Sequence, residues 1–223
     1  MQLDLRSYIF NTLSFVGYHC ISKFHRVFAD YLVETGDDVI SFNWDTLLDE
    51  AMFNTGRWIY ETGYGFEFEK VFYKSGGDQK NISTDSRSRI LKPHGSINWY
   101  SDQDKQKMYA VLPVELRLRG GTFGQLRSCE FICEQYVYNY VVPPGKKRKH
   151  FPHIWESMRD ILQGADKIIA IGFSFNGNDS YVKEEFENIQ FKRDLSVEII
   201  NPNGALLSDS YKEVFKTKDV AIR

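Results

Sequence analysis

The chain has 223 residues, and its 28 Lys and Arg nearly balance 30 Asp and Glu, for a formal net charge of −2. That length carries one good core, or a core with a small insertion, and the balanced charge argues against a nucleic-acid groove, which needs a clear basic excess. Three cysteines exclude a disulfide framework.

Ile21, Phe24, Val27, Phe28, Tyr31 and Leu32 follow helical spacing, with Gly36 where a helix stop belongs. Val39-Ile40-Ser41-Phe42 reads as a short buried strand. Asp45 is placed to cap a second helix, whose apolar face is Leu47, Leu48, Ala51 and Met52 and whose end is Gly56. Residues 57–88 turn aromatic, then polar and Gly-rich, and are expected to form an insertion or long loop with Gly76-Gly77 and Ser83 to Ser88 exposed.

Arg89 to Lys92 begins a second strand that Pro93 stops. From Ile97 to about Val142 the signals are strand and turn, and Pro143-Pro144-Gly145 breaks the chain. Ile154, Trp155, Met158, Ile161 and Leu162 mark an amphipathic helix, and Lys167 to Phe173 a buried strand. Val182, Phe186 and Ile189 mark another helix. Val197 to Ile200 is a further strand, ended by Asn201-Pro202. A short helix near Ser208 to Phe215 and Val220-Ala221-Ile222 close the chain. This alternation predicts the α/β class: a Rossmann-like, mostly parallel sheet with helices on both faces and an inserted loop and strand region.

The start Met1-Gln2-Leu3-Asp4-Leu5-Arg6 lacks the pattern of a signal peptide. The longest apolar run, Ile168 to Phe175, is too short to span a bilayer. A cytoplasmic, non-membrane protein is expected. Lys146 to Lys149 reads as a solvated loop. Cys129 and Cys133 lack a second pair to complete a zinc site, so no metal is expected.

In such sheets ligands sit beyond the carboxyl ends of strands, at a switch point. Polar clusters stand there. In Ser41-Phe42-Asn43-Trp44-Asp45, Asn43 offers a donor and an acceptor, and Asp45 accepts from an amide or hydroxyl. Each also suits a plain turn or cap. In Lys92-Pro93-His94-Gly95-Ser96, His94 sits in a fixed turn beside a glycine, and imidazole takes up protons near neutrality. A loop histidine bonded to backbone fits equally well. His19, His25, His150 and His153 lack such a setting. In Ile171-Gly172-Phe173-Ser174, followed by Asn178-Asp179, a glycine lets a ligand approach the backbone and Ser174 suits a phosphate oxygen. Asn176 excludes a Gly-x-Ser-x-Gly nucleophile elbow. Asn201 stands where a ribose could be held, or where a turn needs an amide.

In this order the clusters resemble the sirtuin-like domain, specifically its zinc-free bacterial branch. Residues 41–45 resemble the family's Thr-Gln-Asn-Ile-Asp segment, Pro93-His94-Gly95-Ser96 its catalytic His-Gly segment, Ile171 to Ser174 its Gly-Thr-Ser turn, and Ile200-Asn201 the strand end that meets the adenosine ribose. The resemblance runs from about Asp38 to Asn203. It implies a single Rossmann-type domain, residues 1–223, that takes NAD as substrate and cleaves its nicotinamide–ribose bond without a metal. It further implies that His94 is the general base, Asn43 orients the ribose and water, and Asp45 holds the carboxamide. Ser96, Gly172, Ser174, Asp179 and Asn201 would meet the cofactor.

Two departures shape the expectation. The four-cysteine zinc module of the deacetylating members is absent, which favours NAD hydrolysis, as in antiphage defence effectors, over lysine deacylation. Those effectors are usually fused to sensor domains, so a sensor-domain partner is expected. The family's Gly-Ala-Gly-x-Ser turn is also missing, since only Gly17 and Gly36 precede residue 41. The chain is therefore expected either to be N-terminally truncated, and inactive for that reason, or to depart from normal NAD binding, and its exposed strand edges invite association into a homo-oligomer or instability. A non-catalytic module binding NAD, ADP-ribose or a protein is the first alternative, and a deacylase the second.

Overall fold

The computed structural model describes residue 13 and residues 21–72, 86–102, 107–111, 129–132, 135–141, 151–175 and 180–223. At 111, 129–132 and 135–139 only the backbone is described. Gly76-Gly77, Cys133, Lys146 to Lys149 and Asp179 lie outside the described residues. The chain divides into two compact units, Met1–Pro143 and Pro144–Arg223, at the Pro143-Pro144 break.

The first unit opens with helix α1 (Lys23–Thr35). Ser22 caps it by accepting from the His25 N–H, and Gly36, at φ +79°, turns the chain out of it. Ala29, Leu32 and Val33 are its buried stripe, whereas Phe24, Val27 and Tyr31 are exposed. Both sets have helical spacing, so periodicity alone could not choose between neighbouring stripes.

Strand β1 (Val39–Ile40) pairs in parallel with β3 (Ile90–Leu91). The Asp38 carboxylate accepts from the backbone N–H, Nε and Nη2 of Arg89 at the start of this ladder. Helix α2 (Leu47–Asn54) follows, and Asp45 Oδ1 accepts from the Leu47 N–H over 3.1 Å.

Residues 57–72 depart from the expected long loop. They form helix α3 (Tyr60–Gly63) and strand β2 (Lys70–Phe72), and they bury Trp58, Tyr60 and Tyr64 completely. Tyr64, Phe66 and Phe68 meet the Trp99 ring nearly edge to face. Large aromatic surfaces favour burial strongly enough to draw an irregular segment into a core. Ser88, expected to be exposed, is buried as well, and its hydroxyl donates to the Leu32 carbonyl of α1.

The strand-and-turn stretch forms β4 (Gly95–Ser101), β5 (Met108–Val111), β6 (Cys129–Ile132) and β7 (Gln135–Val141). With β2 they make a mixed sheet in the order β2-β5-β4-β7-β6, antiparallel except for β2-β5. Every residue of β4 is buried.

The second unit alternates α4 (Pro152–Gly164), β8 (Lys167–Ile171), α5 (Ser180–Glu187), β9 (Ser196–Ile200), α6 (Gly204–Phe215) and β10 (Val220–Ile222). Its sheet, ordered β10-β9-β8, is wholly parallel. The chain is thus of the α/β class, with parallel pairing in both units. Strand β8 was expected to be buried, yet Ile169 and Ile171 are exposed, as is Ile200 opposite Ile171. An apolar run does not say which face of a strand is covered. Phe175 packs against Phe173, Phe186, Tyr211 and Phe215 in this unit's core. No helix among the described residues is long and apolar enough to cross a membrane.

Candidate functional site

Parallel pairing of β1 with β3 brings the two loops that follow these strands to the same end of the ladder. The loop after β1 carries Asn43, Trp44 and Asp45, and the turn after β3 carries Lys92, Pro93 and His94. The Trp44 indole N–H donates to the His94 carbonyl over 3.0 Å. The Trp44 carbonyl accepts in return from the Ile97 N–H at 2.9 Å and the Ser96 hydroxyl at 3.3 Å. These bonds hold the two loops side by side.

His94 is buried, and its ring meets Phe42 edge-on at 5.2 Å between centroids. The turn beneath it depends on Gly95. Its φ is +76°, and a Cβ there would stand 2.3 Å from the Tyr140 carbonyl oxygen on β7. Asn43 is exposed at the loop tip, where its backbone N–H donates to Ser41 Oγ. Asp45 is half-buried and uses one carboxylate oxygen on the start of α2.

Ser96 stands differently from a cofactor-facing residue. It is fully buried and its hydroxyl lies between Lys92 Nζ, at 2.9 Å, and the Trp44 carbonyl. Lys92, which the sequence reading left without a role, is itself buried and donates to the Asp45 carbonyl, to both Asp49 oxygens and to Ser96. Tyr64 donates to Asp49 and accepts from Asn98 Nδ2. Burial first, then the Asp49 carboxylate, push the Tyr64 phenol well above its ordinary range, so it remains a donor. A lysine before Pro-His, with an aspartate on the adjoining helix, was the available signal for this network. It was silent because lysine is so seldom buried.

The second unit holds Gly172, Ser174 and Asn201 at the ends of β8 and β9. Gly172 has φ +67°, and a Cβ there would meet nothing within 4 Å, so its backbone is open to close approach. Its N–H donates to the Ile200 carbonyl. Ser174 is exposed. Asn201 Oδ1 accepts from the Asn203 N–H at 2.8 Å, the turn-forming bond its sequence context also allowed. Asp179 is outside the described residues. The structure therefore gathers Asn43, Asp45, His94 and Ser96 within the first unit and Gly172, Ser174 and Asn201 within the second.

Fold and site define an α/β chain in which a buried histidine turn is clasped to an Asn-Trp-Asp loop at the end of a parallel ladder. Among the described residues, no three His, Cys, Asp or Glu side chains assemble as a metal site requires. No protein-family model matches the chain, and no curated protein does. Among solved structures, one described as "The Structural basis of Sirtuin Substrate Affinity" aligns with 86% of this chain at 15% identity and a TM-score of 0.43. This chain spans 66% of that structure's length. A likeness of that size carries no argument about activity.

Proposed function

We propose that this chain is a sirtuin-like, NAD-handling protein that hydrolyses the nicotinamide–ribose bond of NAD, with His94 as general base. The observation that carries the reading is the clasp between Trp44 and His94. It joins, 50 positions apart in sequence, the two segments in which the resemblance places the catalytic asparagine and histidine.

On this reading Asn43, exposed at its loop tip, orients the ribose and the attacking water. Asp45 anchors the nicotinamide carboxamide through the carboxylate oxygen that α2 does not use. The glycosidic C–N bond breaks as nicotinamide departs neutral and positive charge develops on the ribose. Water adds at that carbon, and its proton passes to the His94 imidazole. A positioned base of this kind contributes roughly 10²–10⁴-fold. In the second unit, taken by itself, Gly172, Ser174 and Asn201 are assigned to contact with a nucleotide. The open backbone at Gly172 supports that assignment. Ser96 is assigned to holding the loops, because its hydroxyl is engaged by Lys92 and the Trp44 carbonyl.

The test is to incubate the purified chain with NAD and follow free nicotinamide. Release by the wild type and its loss, by roughly 10²–10⁴-fold, in His94→Ala are expected. Release that survives His94→Ala overturns the mechanism. If the wild type releases none, hydrolysis is rejected, and calorimetry with ADP-ribose decides whether the chain binds the nucleotide without turnover.

A further inference from the structure

Among the described residues Lys92 is one of the largest fully buried side chains, with 1% of its surface exposed. Its ammonium lies 3.1 and 3.2 Å from the two Asp49 oxygens and 2.9 Å from Ser96 Oγ, and it donates to the Asp45 carbonyl. Ser96 has one proton, which goes to the Trp44 carbonyl, so it accepts from Lys92. The Tyr64 hydroxyl completes the Asp49 side and is itself held by Asn98.

A buried ion pair is poor value as a source of stability, because desolvation cancels most of the attraction and an apolar pair of similar size does as well. What such a pair offers is placement. Directly or through Ser96, Lys92 bonds the carbonyls of two successive residues, Trp44 and Asp45. Both belong to the segment between β1 and α2, which is neither helix nor strand; besides the Lys92 network, the Ser41 N–H donates to the Leu91 carbonyl and the Trp44 carbonyl also accepts from the Ile97 N–H. That segment carries Asn43 and Asp45 and donates the Trp44 indole to His94.

We propose that Lys92, neutralised by Asp49, is a positioning residue: it pins the Trp44–Asp45 backbone so that Asn43 and Asp45 face the His94 turn. Its effect on turnover rests on the NAD-hydrolase reading, whereas its effect on the clasp does not. Lys92 acts through the loop and touches no reacting atom.

The test uses the full chain and two variants. Lys92→Met with Asp49→Asn removes the charges together and keeps an acceptor for Tyr64. Ser96→Ala removes only the relay to Trp44. Far-UV circular dichroism and cooperative urea unfolding establish that each is folded. Hydrogen exchange of the indole N–H groups is then followed by NMR, with the Trp44 signal assigned by its loss in Trp44→Phe. In the double variant the Trp44 indole is expected to exchange at least about tenfold faster, while Trp58 and Trp99 keep their protection. In Ser96→Ala the same selective loss is smaller. Nicotinamide release by the double variant is expected to fall roughly 10²-fold in kcat with little change in KM, as for a misplaced catalytic group.

Unchanged Trp44 exchange in a folded variant overturns the proposal, as does an equal loss of protection at all three indoles, which marks a merely structural role. Should the double variant not fold, Ser96→Ala alone decides by the same comparison. Should the wild type release no nicotinamide, the hydrolase reading fails, and the positioning role stands or falls on the exchange data.

Discussion

The Trp44 indole N–H and the His94 carbonyl oxygen meet at 3.0 Å, although 50 positions separate them in the chain. This bond ties the loop after one strand to the turn after its parallel neighbour. It fixes the His94 backbone, next to the Gly95 turn that packs closely on Tyr140 of β7. Replacing Trp44 with Phe keeps an aromatic ring and removes the donor. The variant is expected to lose about 1 kcal/mol of stability in urea unfolding, the usual net value of one such bond. Nicotinamide release is expected to fall further than that loss of stability explains.

Gly95→Ala confronts two obstacles at once. The backbone lies at φ +76°, and the new methyl would stand 2.3 Å from the Tyr140 carbonyl oxygen. Left-handed strain costs about 1–2 kcal/mol and overpacking against fixed backbone about 1–3 more. Gly56→Ala is the control, because Gly56 has φ +71° with nothing within 4 Å and so incurs only the first cost. Equal losses in the two variants would show that β7 yields to the methyl.

Gly172→Ala separates stability from binding. Its φ of +67° imposes the same conformational cost, about 1–2 kcal/mol, and the surrounding space is open. The proposed close approach of the nucleotide to this backbone predicts roughly tenfold weaker ADP-ribose binding by calorimetry, beyond any change in the folded fraction. Unaltered affinity in the folded variant would remove Gly172 from the binding surface.

Tyr211 supplies a pH-dependent test in the second unit. Its hydroxyl donates to the Phe173 carbonyl at 3.0 Å, propping the turn between Gly172 and Ser174. Burial pushes the phenol from an ordinary value of 10.0 up to about 12. The folded state then keeps the proton that the unfolded chain releases, so this group's stabilisation is complete below pH 10.0 and is lost as pH rises toward about 12. Tyr211→Phe is expected to be less stable than wild type near neutrality and to show a shallower alkaline decline. Urea unfolding midpoints at about pH 8 and about pH 11 check both.

Within residues 57–88, the segment 57–72 departs from a plain long loop for a reason particular to it. Glycines and polar residues dominate the later part of that stretch, and they concealed the aromatic run before it. Trp58, Tyr60 and Tyr64 mix a strand spacing of two with a helical spacing of four, so no single period reports that they are core. The exposed stripe Phe24, Val27 and Tyr31 is the converse case, where a clear period marked the wrong face.

By itself the sequence determined what is local. The α/β class follows from the order of periodic segments, and the end of α1 from Gly36. The choice of His94 rested on its short turn, and the left-handed Gly95 after it accounts for that turn's shape. Tertiary structure alone decided how these pieces act together. Parallel register of β1 against β3 sets Trp44 against His94, and burial turns Lys92, a residue type that ordinarily marks a surface, into the centre of a polar network. It also moves Ser96 from ligand contact to loop support. Long-range bonds depend on which strands become neighbours, and a one-dimensional pattern carries the strands but not their neighbours.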